Sequence, residues 1–505
     1  MEQKTGFSSE RYLEQQTEAI LERAAKFNNK LYLEFGGKLI YDMHASRVLP
    51  GFDPNGKIQL LQKLKDQAEI VLCIFAGDIE RKKVRADFGI SYDADALKLI
   101  DDLREWGLFV RAVVITRYDE QPAARMFKDR LERRDVMVYT HQATHGYPSD
   151  VDLIVSEEGY GANPYIETER PVVVVTAPGP GSGKLATCLS QLYHEHIRGV
   201  DAGYAKFETF PIWNLPLKHP VNVAYEAATA DLKDFNLIDP HHLDAYGEQA
   251  INYNRDVDAF PLLARIVEKI TGKDSFYKSP TDMGVNCAGF GIDEDDVCRD
   301  AAKQEVIRRY FRCSCEYAMG LANRSDAERV KQLMDQLGVN PEDRVVVEPA
   351  RLAAIECREQ GKGNEGIHCG AAIKLPGGSL VTGKNSPLMH SASALILNAA
   401  KVLAGIPDEI HLLAPSIIEG ITDLKKEILM MRSISLDLEE TLIALGVSAS
   451  SNPSARLAME KLKMLQGCEV HCTHIPTPGD EAGLRRLGVN VTSDPDFATK
   501  FLFTR

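Results

Sequence analysis

Gly179, Gly181 and Gly183 alternate with Pro180 and Ser182, and Lys184 follows at once. Glycines at this spacing let backbone N–H groups turn toward a ligand, and a lysine beside them supplies a full positive charge. The ligand that suits such a set is a phosphate. Four consecutive valines, 172–175, precede the glycines, and Leu185, Leu189 and Leu192 recur after them at helical spacing. The expected order is therefore buried strand, glycine loop and helix, with the helix start adding partial positive charge at the same place. Gly179, Gly181, Ser182 and Gly183 are the expected donors, Lys184 the counter-charge and Thr187 the nearby hydroxyl. The match to a P-loop is incomplete. Pro178 stands where its first glycine belongs, and Leu185 where its Mg2+-binding hydroxyl belongs. The dinucleotide pattern GxGxxG fits no better, because the third glycine comes one residue early. A purely structural glycine turn is the alternative reading of the same residues.

Three further sets carry candidate chemistry. Asp42, His44 and Arg47 place a carboxylate, an imidazole and a guanidinium within six residues, a set suited to general acid/base work and anion clamping. Arg81, Lys82 and Arg85, with Lys83 between, follow an apolar strand and are candidates to hold a phosphorylated substrate. Thr382 and Lys384 lie in a second Gly-Lys turn and are candidates for the same duty. Each set has a plain alternative, as loop caps, a solvated helix face or an ordinary turn. The stretch 203–283 is rich in polar residues, among them Lys206, Glu208, Asn222 and Asp256, which suit binding walls or turn chemistry equally. Cys468, Cys472 and His474 would share one strand face, but buried strand residues explain them better than a metal, and no metal site is expected. Cys369 beside His368 is a weak candidate nucleophile.

The totals bound what such sites could serve. With 505 residues, a net charge of -14 and ordinary hydrophobic content, the chain reads as a soluble multidomain protein. That charge disfavours nucleic acid and anionic membrane surfaces as partners. No apolar run reaches the ~18 residues needed to span a bilayer, and the first residues lack a signal peptide's basic and apolar regions. Ten scattered cysteines suit reduced thiols in a cytoplasm. Self-association into a homo-oligomer is compatible with all of this.

The elements that must position the candidates alternate between strand and helix. Helices are expected over 9–27, 58–64, 94–106 and 123–134, and strands over 70–75, 110–116, 136–140 and 151–155. A hairpin is expected from strands 31–35 and 38–41 joined by Gly36-Gly37. That rhythm predicts an α/β fold with a Rossmann-like, mostly parallel sheet, helical inserts and a smaller C-terminal α/β domain. The expected domains are 1–240 with the glycine loop, a mainly helical segment 241–340, and 341–505. In the last, strands are expected at 344–347, 379–382, 409–413, 469–472 and 489–492, with Pro387 opening a helix.

Four stretches together resemble a known family. Ser46-Arg-Val-Leu-Pro-Gly-Phe52, the glycine loop from Thr176 to Lys184, Phe210-Pro-Ile-Trp-Asn-Leu-Pro-Leu-Lys-His-Pro220 and Lys278-Ser-Pro-Thr-Asp-Met-Gly-Val-Asn286 look like the bacterial family catalogued as domain of unknown function 1846. The resemblance runs through nearly the whole chain. It implies an N-terminal nucleotide-binding-like α/β domain, helical inserts and a smaller C-terminal α/β domain, and it brings no established reaction or catalytic residue. Some relatives are labelled ATP-dependent peptidases, yet the sequence has neither HExxH nor GxSxG. The expectation is a cytoplasmic enzyme that binds ATP or another nucleotide with Mg2+, or another phosphorylated small molecule, for phosphoryl or nucleotidyl transfer. A non-catalytic phosphometabolite sensor and a phosphosugar-processing enzyme without nucleotide are the alternatives.

Overall fold

A computed structural model describes residues 4–28, 30–85 and 89–499. The chain divides into two compact units, Lys4–Ala302 and Lys303–Arg505. No helix among the described residues is long and apolar enough to cross a membrane.

The first unit is built on a seven-stranded sheet. Its strands are β1 (Leu31–Phe35), β2 (Ala68–Phe75), β3 (Val110–Thr116), β4 (Val138–His141), β5 (Val172–Thr176), β6 (Gly203–Phe207) and β7 (Gly284–Val285). They lie in the order β7-β6-β1-β5-β2-β3-β4, and every pair is parallel. The valine run of β5 is fully buried, as expected for a strand covered on both faces. On one face the helix Lys184–Ile197 packs Cys188, Leu189 and Leu192, and the helix Asn254–Thr271 packs Phe260, Ile266 and Ile270, against Tyr32, Val71, Val173 and Val175. β2, β3 and β4 extend the sheet one way, β6 and β7 the other, and β5 is inserted between. Strand order thus reverses around β5, and in parallel sheets such a reversal opens a crevice at the carboxyl ends of the strands.

The second unit holds a four-stranded sheet in the order Leu380–Lys384, Gly370–Lys374, Glu469–Cys472, Asn490–Ser493, with only the last pair parallel. Its core gathers Ile373, Leu395, Ile396, Val470 and Leu484. The α/β class, the parallel sheet and the smaller second sheet are as the sequence pattern predicts.

Several local expectations are corrected. Residues 38–41 form no strand, so Gly36-Gly37 turns no hairpin: β1 pairs in parallel with β5 and β6 instead. The segment expected as a strand at 151–155 is the helix Val151–Ile154, started by Asp150 accepting from the Leu153 amide. Residues 344–347 lead from the turn Pro341–Asp343 into the helix Val347–Glu359, and 409–413 are not a strand. Pro387 opens no helix, since the next one starts at Ser391 after the cap residue His390. At the strand positions, short β-branched or apolar runs carried a signal that caps and tertiary neighbours overrode.

Candidate functional site

The glycine loop occupies the carboxyl end of β5, at the reversal of strand order. Gly183 caps the helix Lys184–Ile197 with φ +86°, and Gly181 has φ +70°, backbone that L side chains rarely adopt. A Cβ on Gly183 would come 2.9 Å from Thr116 at the end of β3, and one on Gly179 would come 2.5 Å from the Tyr92 ring. The loop's carbonyls are tied outward to β3: Thr116 donates to the Ser182 carbonyl at 2.7 Å and Arg117 to the Gly181 carbonyl at 2.5 Å. Its amides are left over. Those of Gly179, Gly181, Ser182, Gly183, Lys184, Leu185 and Ala186 have no acceptor among the described residues. The Ser182 hydroxyl is buried, also without a partner there. Lys184 rises from the first helical turn and lies 4.0 Å from Glu34 on β1, the outer limit of an ion pair. A concave row of unpaired donors with a lysine at its edge is what an anion needs.

Basic side chains flank the loop. Arg117 stacks 3.5 Å from the centroid of the Phe75 ring, and Lys83 lies 5.0 Å from that of Tyr92. Burial draws the Arg117 guanidinium below its ordinary pKa; Asp78 opposes this and Arg81 adds to it, so these groups share one neighbourhood. Arg81 donates to Asp78, and Lys82 is exposed. The Arg85 side chain lies outside the described residues. Thr187 is not brought to the loop's open side: it is fully buried, and its hydroxyl accepts from Cys73 at 3.5 Å.

On the other side of the loop, β1 and β6 carry a group of charges. Glu34 sits opposite Lys206 in register and accepts from the Tyr204 hydroxyl at 2.8 Å. The Lys206 ammonium bridges Glu208, at 2.6 Å, and Asp256. Burial pushes the Glu208 carboxyl up to about 7; Lys206 works against this, and the negative neighbours Asp256 and Glu34 add to it. Glu34 was not among the expected site residues, and Lys206, Glu208 and Asp256 were expected only as polar residues that suit binding walls or turn chemistry equally. The signal that could have found them is a charge inside a strand buried on both faces, such as Glu34 within Leu31-Tyr-Leu-Glu-Phe35.

Asp42 starts the helix Met43–Val48, accepts from the Ala45 amide and pairs with the buried Lys57 at 2.8 Å. Its pKa is lowered: burial pushes upward, but the Lys57 charge and hydrogen bond prevail. His44 sets its ring edge-on to Phe210 and Tyr225, and Tyr225 stacks between Phe210 and Tyr253. The charges of both Asp42 and Glu208 act on the Tyr225 phenol, so both lie near that aromatic stack. Arg47 is half-buried on the same helix. Lys57→Met is expected to cost about 2–3 kcal/mol in urea titration, because it strands a buried carboxylate. The loss shrinks as pH falls: a carboxyl with a depressed folded pKa contributes its stability above the unfolded value and forfeits it on protonation.

Thr382 and Lys384 belong to the second unit, on the strand Leu380–Lys384 rather than at a helix start. Lys384 pairs with Glu356 at 2.7 Å, and the Thr382 carbonyl accepts from Asn398. Burial pushes the Cys369 thiol up to about 12, the wrong direction for a nucleophile. Among the described residues no three His, Cys, Asp or Glu side chains are grouped to hold a metal ion.

Comparison with known proteins places this site in a family setting. The family description "Domain of unknown function DUF1846, N-terminal" matches residues 5–338, and "Domain of unknown function DUF1846, C-terminal" matches 342–503. A protein named "UPF0371 protein" from Clostridium tetani (strain Massachusetts / E88) is 57% identical over 500 residues, covering 99% of each chain. Proteins of the same name from Clostridium botulinum are 56% identical in strain Langeland and 57% in strain Alaska E43, again over 99% of each chain. With both halves matched in order and relatives alike from end to end, this chain belongs to the DUF1846 family.

Proposed function

We propose that this chain is a cytoplasmic enzyme that binds ATP, another nucleotide or a related phosphorylated small molecule at the glycine loop, with phosphoryl or nucleotidyl transfer as its chemistry. The observation that carries this reading is the row of unpaired amides from Gly181 to Ala186, joined by the unpartnered Ser182 hydroxyl and the Lys184 ammonium. A phosphate group accepts from several such donors at once, and the helix start adds to the attraction. Mg2+ arriving with the nucleotide would offset charge that a single lysine leaves unbalanced. Asp42, His44 and Arg47 remain the candidate acid/base and clamping groups, and Arg81 and Arg117 lie beside the loop on the Phe75 side.

Isothermal titration with ATP, GTP and sugar phosphates, each with and without Mg2+, tests the reading. Lys184→Ala is expected to weaken the ligand that binds by about 10- to 100-fold, the range for losing a charge-assisted contact. No binding by any of these ligands, or equal binding by the variant, rejects the proposal. Binding by sugar phosphates alone replaces it with a phosphosugar enzyme. A tight ligand that is never turned over replaces it with a sensor.

A further inference from the structure

In the second unit the segment after Ala414 is packed inside out. Among the described residues 415–434 the one buried side chain is Lys425, whose ammonium donates to the Ser435 carbonyl and to Glu440, both at 2.7 Å. The apolar residues of the same stretch stay in the open. Leu424, Ile428, Leu429 and Met430, on the π-helical turn Leu424–Ile428 and just after it, are between 47% and 80% exposed. The neighbouring helix Leu438–Ser448 continues the surface. By their spacing Glu440, Ile443 and Val447 share one of its faces, and Glu440 turns that face toward Lys425. Ile443 and Val447 are 68% and 53% exposed, while Leu438, Ala444 and Leu445 are buried on the inner side. A helix apolar all round is one that is covered on both sides. At about 200 Å2 of full surface per residue, the six exposed residues open roughly 750 Å2, beyond the ~300–600 Å2 of the largest patch on an ordinary monomer and close to the ~800 Å2 that each partner of a stable complex covers.

We infer that this face is where two copies of the chain pair, as a dimer about a two-fold axis beside Leu424. A two-fold contact lays the helix Pro415–Asp423 and its π-helical turn antiparallel to the same segment of the second copy, so one patch serves both partners. The surrounding charges fit that arrangement. Glu419 and Asp423 stand on the amino-terminal side of Leu424 and Lys426 on its carboxyl-terminal side, all exposed. Antiparallel pairing brings the acidic end of one copy to the basic end of the other, whereas parallel stacking sets like charges together. Lys426 meets its exposed neighbour Glu427 at 3.5 Å, a surface pair of little strength that leaves it open to a new partner. The buried Lys425 serves the same end from inside. An ammonium is costly to bury unless it is paired, and its bonds to Ser435 and Glu440 fix the rotation of the turn and with it which residues face outward. Acidic residues beside the patch, Glu419, Asp423 and Glu427, disfavour an anionic lipid surface as its cover. Pairing here does not depend on what the glycine loop binds.

Sedimentation velocity of the full chain across the micromolar range tests this. The intact protein is expected to dimerise with a Kd of about 1 µM or tighter. Ile428→Asp and Ile443→Asp, on two separate elements, should each weaken association about 100-fold or more, because pairing would then bury an unpartnered carboxylate. Both positions are open, so neither change removes core packing, and the far-ultraviolet circular dichroism of the two variants should match that of the intact protein. Asp423→Lys should weaken the dimer about 3- to 10-fold by setting like charges together, and adding Lys426→Glu should restore it. An intact protein that stays monomeric at about 100 µM overturns the inference, as does a dimer that both aspartate variants leave equally tight. A double variant as weak as Asp423→Lys alone overturns the antiparallel arrangement. Two further results would also overturn pairing by showing a different cover. One is a monomer whose peptides spanning 417–434 resist hydrogen exchange, with the face covered within the chain. The other is flotation of the intact protein with phosphatidylcholine vesicles, with the face covered by lipid.

Discussion

Gly183→Val is expected to abolish the response to phosphorylated ligands and to destabilise the first unit by about 2–6 kcal/mol, summing backbone strain of about 1–3 kcal/mol with overpacking of similar size. Two independent terms act at one atom. The residue holds φ +86°, where a β-branched side chain is strained, and its Cβ would meet the Thr116 side chain at 2.9 Å. Thr116 cannot simply step aside, because its hydroxyl holds the Ser182 carbonyl at 2.7 Å and so sets the direction of the neighbouring amides. Moving it reorients the donors that face a ligand. Trp106 and Trp213, the two tryptophans of the chain, both lie in Lys4–Ala302, so the fluorescence midpoint in urea reports on this unit. An unchanged midpoint together with unchanged ligand affinity would show that the loop tolerates a side chain and that its curl is unrelated to binding. Gly183→Ala serves as the graded control, meeting the same contact with less bulk.

Arg344→Met is expected to cost the second unit about 3 kcal/mol or more, the range for breaking a buried charged network. Arg344 is among the largest fully buried side chains of the protein. Its guanidinium donates to the Thr492 hydroxyl at 3.0 Å and to the Asn490 carbonyl at 2.8 Å, and pairs with Glu469. It thereby staples the two parallel strands Glu469–Cys472 and Asn490–Ser493 at their amino ends. Methionine fills much of the space but removes the guanidinium's hydrogen bonds and leaves the Glu469 carboxylate without its counter-charge, which is the expensive part of the change. Arg344→Lys should recover only part of the loss, because an ammonium cannot reproduce the planar fork. Hydrogen exchange read on peptides spanning 469–493 checks this: protection should fall in Arg344→Met, less so in Arg344→Lys. Equal protection in all three proteins would mean the staple contributes nothing.

How far the site could be read in advance follows from how local each feature is. The loop was legible because glycine spacing, a valine run and a helical leucine pattern are all written within about twenty residues of one another, each with its own physical meaning. Arg344 was not, since nothing beside it in the chain announces that its partners come from residues more than a hundred positions away. The hairpin expected at Gly36-Gly37 failed for the same kind of reason. Two glycines permit a turn, but β1 finds better partners in β5 and β6, where its apolar residues are covered on both sides.

The sequence by itself determined the α/β class, the parallel sheet, the smaller second sheet, and the place of the glycine loop between strand and helix, because periodicity and glycine chemistry act over short distances. Only the tertiary structure decided that β5 lies where strand order reverses, that Thr116 and Arg117 hold the loop's carbonyls, and that Glu34, Lys206, Glu208 and Asp256 gather beside Lys184. Charges from four separate segments interact only after the strands have paired, and strand pairing is set by burial of the whole sheet.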